Sequence, residues 1–342
     1  MEHIDVTTHG HRLAEGGFWV VVASFEGRLD AWRFEKVTRT NTAPEPASRR
    51  PWRGPTASAW VSSLTADTYR AGVERIRGDI REGEVYQVNL CRVLSAPLAA
   101  DPPGPDAVAL SERLVRGNPA RHAARIVIPA TDAMPGTWVV SASPESYLSV
   151  DGDAVRSSPI KGTAAPGEPM LDKDEAENVM ITDLIRNDLS HVAIPGSVAV
   201  PEFLALHDHP GLVHLQSTVS ARLAPAFDWT AQMWPALFRD TFPPGSVSGA
   251  PKSAALRIIA REESAPRGPY CGAIGWVDAD HRRAELAVGI RTFWWEDAPD
   301  ASLKFGTGAG ITWGSDPGGE WRETELKAKR LIALASADTM AT

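Results

Sequence analysis

The sequence predicts an α+β fold of mainly antiparallel sheets with helices on their outer faces. Three observations carry this: short apolar runs and helical runs alternate without one-for-one pairing, the short runs are punctuated by Gly, Pro, Asp and Ser, and no internal repeat of fixed period occurs. From the start, GGFWVVVASFEGRLDAWRFEKV reads as two strands around a Glu-Gly turn, and the proline- and arginine-rich TNTAPEPASRRPWRGP after it as a loop. TADTYRAGVERIRGDIREG has a Thr or Asp N-cap and places Val73, Ile76 and Ile80 on one helical face. Strands follow at EVYQVNLCRVL, then as a meander at ARIVIPA, TWVVSA, SYLSV and DAVRSSPI. A long helix is expected over 172–190, ended by Pro195 and Gly196. VAVPEFLAL and GLVHLQSTVSARL read as strands, and WTAQMWPALFRD and APKSAALRIIAREES as helices, with Pro251 suiting a first turn. GAIGWV, AELAVGIRTFWW and LKFGTGAGI are expected strands, and EWRETELKAKRLIALA a closing helix. Residues 1–60, the strand pair and loop, are read as part of the same domain as 61–338, which carries the chemistry.

With 342 residues, 43% hydrophobic and 23% charged, the chain has the composition of a globular protein with a sizeable core. A net charge of −8 without a Lys/Arg cluster argues against a nucleic-acid footprint but leaves a local pocket for a small anion open. The start MEHIDVTTHGHRL has neither a basic stretch nor an apolar run, and no later apolar run approaches the roughly 18 residues of a membrane helix, so no membrane association and a cytoplasmic location are expected. Cys91 and Cys271 lack a metal-ligand spacing, and neither a zinc site nor a disulfide is expected from them.

Lys161, in SSPIKGTAAPG, is the first residue that asks for chemistry. A buried ammonium loses its hydration, yet Pro-Ile before it and Gly-Thr after it describe a constrained strand end. On the 172–190 helix, Glu177, Ile181, Leu184 and Asp188 fall within about 40° of one stripe, which puts a carboxylate where apolar residues point. Glu320, Glu323 and Lys327, spaced i, i+3, i+7, share a face of the closing helix. Such faces are ordinarily solvated ion pairs, but two acidic stripes could instead hold Mg²⁺, which bridges one or two carboxylates to an anionic substrate. GTGAGIT and PPGSVSGAPKSAA read as glycine-rich turns whose backbone N–H groups could bind carboxylate or phosphate, though turns need glycine in any case. No Walker A loop and no G-x-G-x-x-G in a βαβ context occurs, so nucleotide chemistry is not expected. His214 and Arg291 lie within apolar strands; a lone strand histidine is ordinarily a satisfied core residue, whereas a core guanidinium usually grips an anion.

SPESYLSV, SPIKGT, AENVMITDLIRNDL, HLQSTV, SGAPKSAALRII, PYCGAIGW, GIRT, GTGAGIT and EWRETELKAK, in this order over about residues 66–336, resemble the chorismate-utilising enzymes. These are anthranilate synthase component I, aminodeoxychorismate synthase component I, isochorismate synthase and salicylate synthase. The resemblance implies a single domain of two large, packed, mainly antiparallel sheets with outer helices and an active site in the cleft between them. It implies Mg²⁺ held by Glu177 and Glu323, with Glu320 contributing from behind them or through water. Substrate carboxylates would fall to Arg291, Tyr270 and the backbone of Gly308, Ala309 and Gly310, with Ser248 and Gly249 of the SGAPKSAA motif as further substrate contacts. His214 and Thr163 would line the ring pocket, and Lys327 would neutralise the metal end.

Two positions select the reaction that the resemblance implies. Family members that add water carry a lysine base where this chain has Gln87, and an amide cannot deprotonate water. Anthranilate synthases typically have alanine where this chain has Lys161, whereas P-I-K-G-T is similar to the aminodeoxychorismate synthases. The implied path is attack of the Lys161 amine at C2 of chorismate with loss of the C4 hydroxyl, protonated by Glu145, followed by ammonia at C4 expelling the lysine. Partial burial and neighbouring cations are expected to free the amine of its proton. The rival readings are a relative that aminates at C2, giving anthranilate or aminodeoxyisochorismate, and a silent chorismate-binding regulatory subunit.

Neither NLCRV nor PYCGA has the glycine-flanked elbow of a glutaminase nucleophile, so ammonia is expected free or from a separate glutamine amidotransferase subunit. The resemblance further implies p-aminobenzoate and folate or related aromatic biosynthesis. Compared with the usual family member the stretch before the shared motifs is short and shows no tryptophan-pocket motif, so feedback by tryptophan is not expected.

Overall fold

Strands that pair with partners far along the chain dominate the architecture. The computed structural model describes all residues except 41–50, 100–103, 133, 165–166, 171, 210–211 and 338–342. Most of the expected Pro/Arg-rich loop, 41–50, therefore lies outside the described residues. The rest is α+β with two antiparallel sheets, grouped in two units that interleave along the sequence.

The first unit comprises Met1–Val37, Glu145–Ala250 and Gly272–Val288. Its ten-stranded sheet runs Glu2–Asp5, Leu29–Phe34, Phe18–Ala23, Ala273–Asp278, Arg283–Val288, Ser146–Asp151, Ala154–Ser158, Leu212–Arg222 and Ile160–Ala164, with Ala199–His209 also paired to Leu212–Arg222. The expected N-terminal hairpin is present, and it joins the sheet through Ala273–Asp278, with Ala23 opposite Ala273 and Phe18 opposite Asp278. The predicted long helix is Asp172–Ser190. It buries Ile181, Ile185 and Leu189 at four-residue intervals, the apolar stripe that makes a helix out of this sequence. Asn178, fully buried, fixes the helix to the sheet: its Nδ2 donates to the Leu215 carbonyl, and its Oδ1 accepts from the Ser217 hydroxyl.

The second unit comprises Thr38–Pro144, Pro251–Cys271 and Gly289–Thr342. Gln87–Pro97, Ser302–Ile311, Thr292–Glu296, Thr137–Ser143 and His122–Ile128 lie side by side in its sheet, and Val61–Ser62 pairs with Gln87–Pro97. Helix Ala66–Arg81 starts where Thr65 accepts a hydrogen bond from the Thr68 N–H, and Pro317–Ala335 starts with Asp316 capping Gly319 and proline in the first turn. A helix not expected from the sequence, Ala107–Gly117, is capped by Asp106 and buries Ala107, Leu110 and Leu114. These join a core with Trp138, Phe293, Trp295, Leu303, Phe305 and Leu331.

AELAVGIRTFWW is not one strand. Arg283–Val288 ends in the first sheet and Thr292–Glu296 begins in the second, with Arg291 between them at φ 52°. A left-handed residue departs from regular strand geometry, and Arg291 sits in a bend between the two strands and not in a sheet core. GTGAGIT is likewise not a turn: residues 306–311 complete the strand Ser302–Ile311.

Candidate functional site

In the first unit the expected nucleophile, acid and one expected metal ligand come together. Lys161 lies on Ile160–Ala164, whose pairing with Leu212–Arg222 slips between Ile160 and Thr163. That irregularity has a cause in Gly162, which adopts φ 82° beside Asp174; a side chain there would sit 2.8 Å from the Asp174 Cβ. The strand thus approaches the helix closely, and the Lys161 amine stands 3.5 Å from a Glu177 carboxylate oxygen. Lys173 reaches the other oxygen at 3.7 Å.

Glu145, at 4% exposure, follows the strand Thr137–Ser143 and is anchored through its carbonyl, which accepts from the Val288 N–H. Burial raises its pKa to about 7, against hydrogen bonds from Ser246 and the Ile160 backbone and the attraction of Lys161. Glu145 is therefore divided between acid and carboxylate near neutrality, the condition a general acid needs. The expectation of a cation beside Lys161 is met by Lys173, which shares its Glu177 partner, and the structure adds the carboxylates Glu177 and Glu145 near the Lys161 amine. Thr163 lies directly opposite His214 in the strand pairing, and His214 is buried. Ser248 is buried and donates to the Pro244 carbonyl, closing the short helical turn Gly245–Val247, and Gly249 follows at φ 150°. A cavity of about 20 Å³, room for a water molecule, is lined by Glu145, Ser246, Asp188 and Thr241 among others. The hydrogen bond from Ser246 was not anticipated, although the residue lies in the glycine-rich PPGSVSG run.

The second unit gathers a different set. Gln87 is fully buried at the start of its strand, and a Cβ on Gly310 would fall 2.3 Å from its amide nitrogen. Gly306 and Gly308 make the same kind of room, for the Tyr270 ring and the Cys91 sulfur. These glycines are demanded by close approach and not by a turn. The pairing of Ser302–Ile311 with Thr292–Glu296 ends at Phe305, whereas its pairing with Gln87–Pro97 continues to Ile311. Beyond Phe305 one edge of the glycine strand is therefore outside that ladder, as an anion cradle requires.

Tyr270 is buried, and its phenol pKa is pushed up by burial and by Cys271 and Cys91. Arg291 is partly buried, which lowers its pKa, and among the described residues no carboxylate pairs with it. A guanidinium desolvated without a counter-charge is a receptor for an anion.

On the helix Pro317–Ala335, Glu320 is buried at 5% exposure, while Glu323 accepts from Lys327 at 2.6 Å. The Lys327 amine also donates to the Gly308 carbonyl at 3.2 Å, joining the helix to the glycine strand. Among the described residues no group of three or more His, Cys, Asp or Glu forms a metal cage. Glu320 and Glu323 are hard oxygen donors one turn apart, and both act on the nearby Tyr69 phenol. Such a pair fits Mg²⁺, which keeps several waters and typically takes only one or two carboxylates. No helix among the described residues is long and apolar enough to cross a membrane.

Comparison with known proteins agrees with this geometry. A family model described as "chorismate binding enzyme" matches residues 19–333. The chain is 34% identical over 317 residues to anthranilate synthase component 1 of Streptomyces coelicolor, covering 88% of this chain and 58% of the relative. It is 33% identical over 303 residues to aminodeoxychorismate synthase component 1 of Salmonella typhimurium, covering 85% and 62%. The chain thus spans about six tenths of the length of these two relatives. Among solved structures, anthranilate synthase component I from Streptococcus pneumoniae superposes with a TM-score of 0.77 at 22% identity, over 96% of this chain and 86% of that one. An isochorismate synthase structure from Bacillus anthracis superposes at 0.76 with 19% identity, over 98% and 91%, and both likenesses speak to the fold.

Proposed function

The chain belongs to the chorismate-binding enzyme family, and on that premise we propose that it aminates chorismate at C4, giving 4-amino-4-deoxychorismate through a covalent adduct on Lys161. The observation that carries the reading is Lys161 held 3.5 Å from Glu177 with its charge acting on Glu145, a buried acid of pKa about 7. Identity does not choose between the family's reactions, since relatives named for C4 amination and for anthranilate formation stand at 33% and 34%. Lysine at position 161 and glutamine at 87 favour C4 amination.

In this reading the Lys161 amine, after giving up its proton, bonds to C2 while the two conjugated ring double bonds shift and the C4 hydroxyl leaves as water with the Glu145 proton. Ammonia then bonds to C4, the shift reverses, and the lysine is expelled. The adduct divides one difficult allylic substitution into two easier steps. Glu177 holds the Lys161 side chain in place as its ion partner. Arg291 and Tyr270 take the substrate carboxylates together with the backbone of Gly308, Ala309 and Gly310, and Thr163 and His214 flank the ring. Mg²⁺, held by Glu323 with Glu320 beside it on the same helix, would supply positive charge to a substrate carboxylate. Ammonia would come free or from a separate glutamine amidotransferase subunit, and the product would serve p-aminobenzoate or a related aromatic compound.

Incubation with chorismate, Mg²⁺ and ammonium at mildly alkaline pH, followed by product mass and treatment with an added lyase, tests the reading. An aminated product that keeps its enolpyruvyl group and yields p-aminobenzoate supports it. Anthranilate would move the chemistry to C2.

A further inference from the structure

We propose that the buried ion pair of Arg267 with Glu263 is a positioning device, which holds the Tyr270 hydroxyl over the glycine strand where it takes a substrate carboxylate. The inference rests on the reading of Tyr270 as a substrate contact, and on no particular reaction. Both side chains are almost fully enclosed, at 1% and 7% exposure. The guanidinium grips the carboxylate with two donors, Nε at 2.8 Å and Nη2 at 2.6 Å. Burying such a pair is costly, and apolar residues of similar volume are often as stable. Stability alone gives the pair no reason to be there.

The reason lies in where its other bonds go. Arg267 Nη2 also donates to the Asn89 carbonyl at 2.8 Å, and Glu263 Oε1 accepts from the Cys91 N–H at 2.8 Å. A donor to one carbonyl and an acceptor from the N–H two places on are the two bonds that one residue of a parallel strand makes. The ion pair thus stands in for a strand neighbour beside Leu90, on the strand Gln87–Pro97.

Tyr270 is tied to the same point in three ways. Its N–H donates to the Arg267 carbonyl at 3.3 Å, its ring fills the room left by Gly306, and its hydroxyl oxygen takes a weak S–H bond from Cys91 at 3.9 Å. Cys91 is the residue whose N–H Glu263 holds, and its sulfur fills the room left by Gly308. The pair therefore fixes both the turn that leads into Tyr270 and the residue that meets its hydroxyl. Because Cys91 donates to the phenol oxygen, the phenol O–H is left to donate to an anion. Arg267 and Glu263 act through Tyr270 and are positioning residues.

In the full chain, Arg267→Met combined with Glu263→Gln removes both charges together, so neither is left buried alone. Chorismate binding is followed by calorimetry with Mg²⁺ and without ammonium, beside KM and kcat for whichever product forms. The dissociation constant and KM are expected to rise at least about tenfold, with kcat within about threefold of the wild type. In a Tyr270→Phe background the same replacement should change binding by less than about twofold, because the hydroxyl it positions is gone. Unchanged chorismate binding, or the full tenfold loss in the Tyr270→Phe background as well, overturns the proposal. Should the double replacement not fold, Arg267→Lys keeps the charge and gives up the fork, and is read in the same two backgrounds with an expected loss of about threefold or more. Product identity plays no part in these readings, so anthranilate as product would end the C4 reading and leave this one standing.

Discussion

The Lys161 amine and the Glu177 carboxylate meet at 3.5 Å, each side chain 13% exposed. A pair so little exposed is set by its surroundings, here the bulge at Gly162 and the Asn178 anchor one residue beyond Glu177. Lys161→Ala is expected to abolish any covalent adduct seen by intact mass after quenching with chorismate. An adduct surviving in that variant would place the nucleophile elsewhere.

Glu145 gives a pH-dependent stability with a definite sign. Its folded-state pKa is raised from 4.5 to about 7, so its contribution to stability is fully present below about pH 4.5 and is lost as pH rises through 7. Glu145→Gln should therefore gain on the wild type across that window, by roughly 3 kcal/mol at pH 8. Urea unfolding at pH 4.5 and pH 8 measures it, and a constant difference would show that Glu145 does not titrate there. Turnover should fall by about 10² to 10⁴ in the same variant, as for loss of a general acid.

Arg291, with no carboxylate partner among the described residues, should bind substrate anion through its fork of donors. Arg291→Ala is expected to raise the KM for chorismate by about 10 to 100-fold, the worth of charge-assisted hydrogen bonds, and Arg291→Lys should recover little of it. Steady-state kinetics with unchanged KM would remove Arg291 from the binding site.

Gly310→Ala places a methyl 2.3 Å from the Gln87 amide nitrogen. Overpacking of this kind costs about 1 to 3 kcal/mol, read as a lower thermal midpoint. Gly314→Ala, with nothing within 4 Å of the added carbon, should stay close to the wild type.

Removal of divalent metal with a chelator should stop turnover, and Mg²⁺ should restore it. Glu320→Gln and Glu323→Gln should each weaken the Mg²⁺ titration followed by calorimetry. Unaltered titrations in both would move the metal away from this helix.

Periodic segments were legible because one residue class repeats on one face. Asp172–Ser190 falls where its apolar stripe predicts. Ala107–Gly117 carries the same kind of signal, Asp106 followed by Ala107, Leu110 and Leu114, and could have been found. AELAVGIRTFWW could not be divided by hydropathy, because both halves are buried and the break rests on the conformation of Arg291. The glycines of GTGAGIT look like turn residues until Tyr270, Cys91 and Gln87, far away in sequence, are seen to need the space. Lys161, Glu145 and Glu177 were named from motifs, but the carboxylates facing Lys161 depend on a bulge and a helix approach that spacing alone does not contain.

The pairing of Phe18–Ala23 with Ala273–Asp278 has a bearing on synthesis. During translation the first hairpin leaves the ribosome long before its sheet neighbour exists, and its open edge waits through most of elongation. Contacts so distant in sequence slow folding and leave strand edges exposed meanwhile. A ribosome-bound nascent chain ending before residue 273 would therefore be the form most dependent on chaperones.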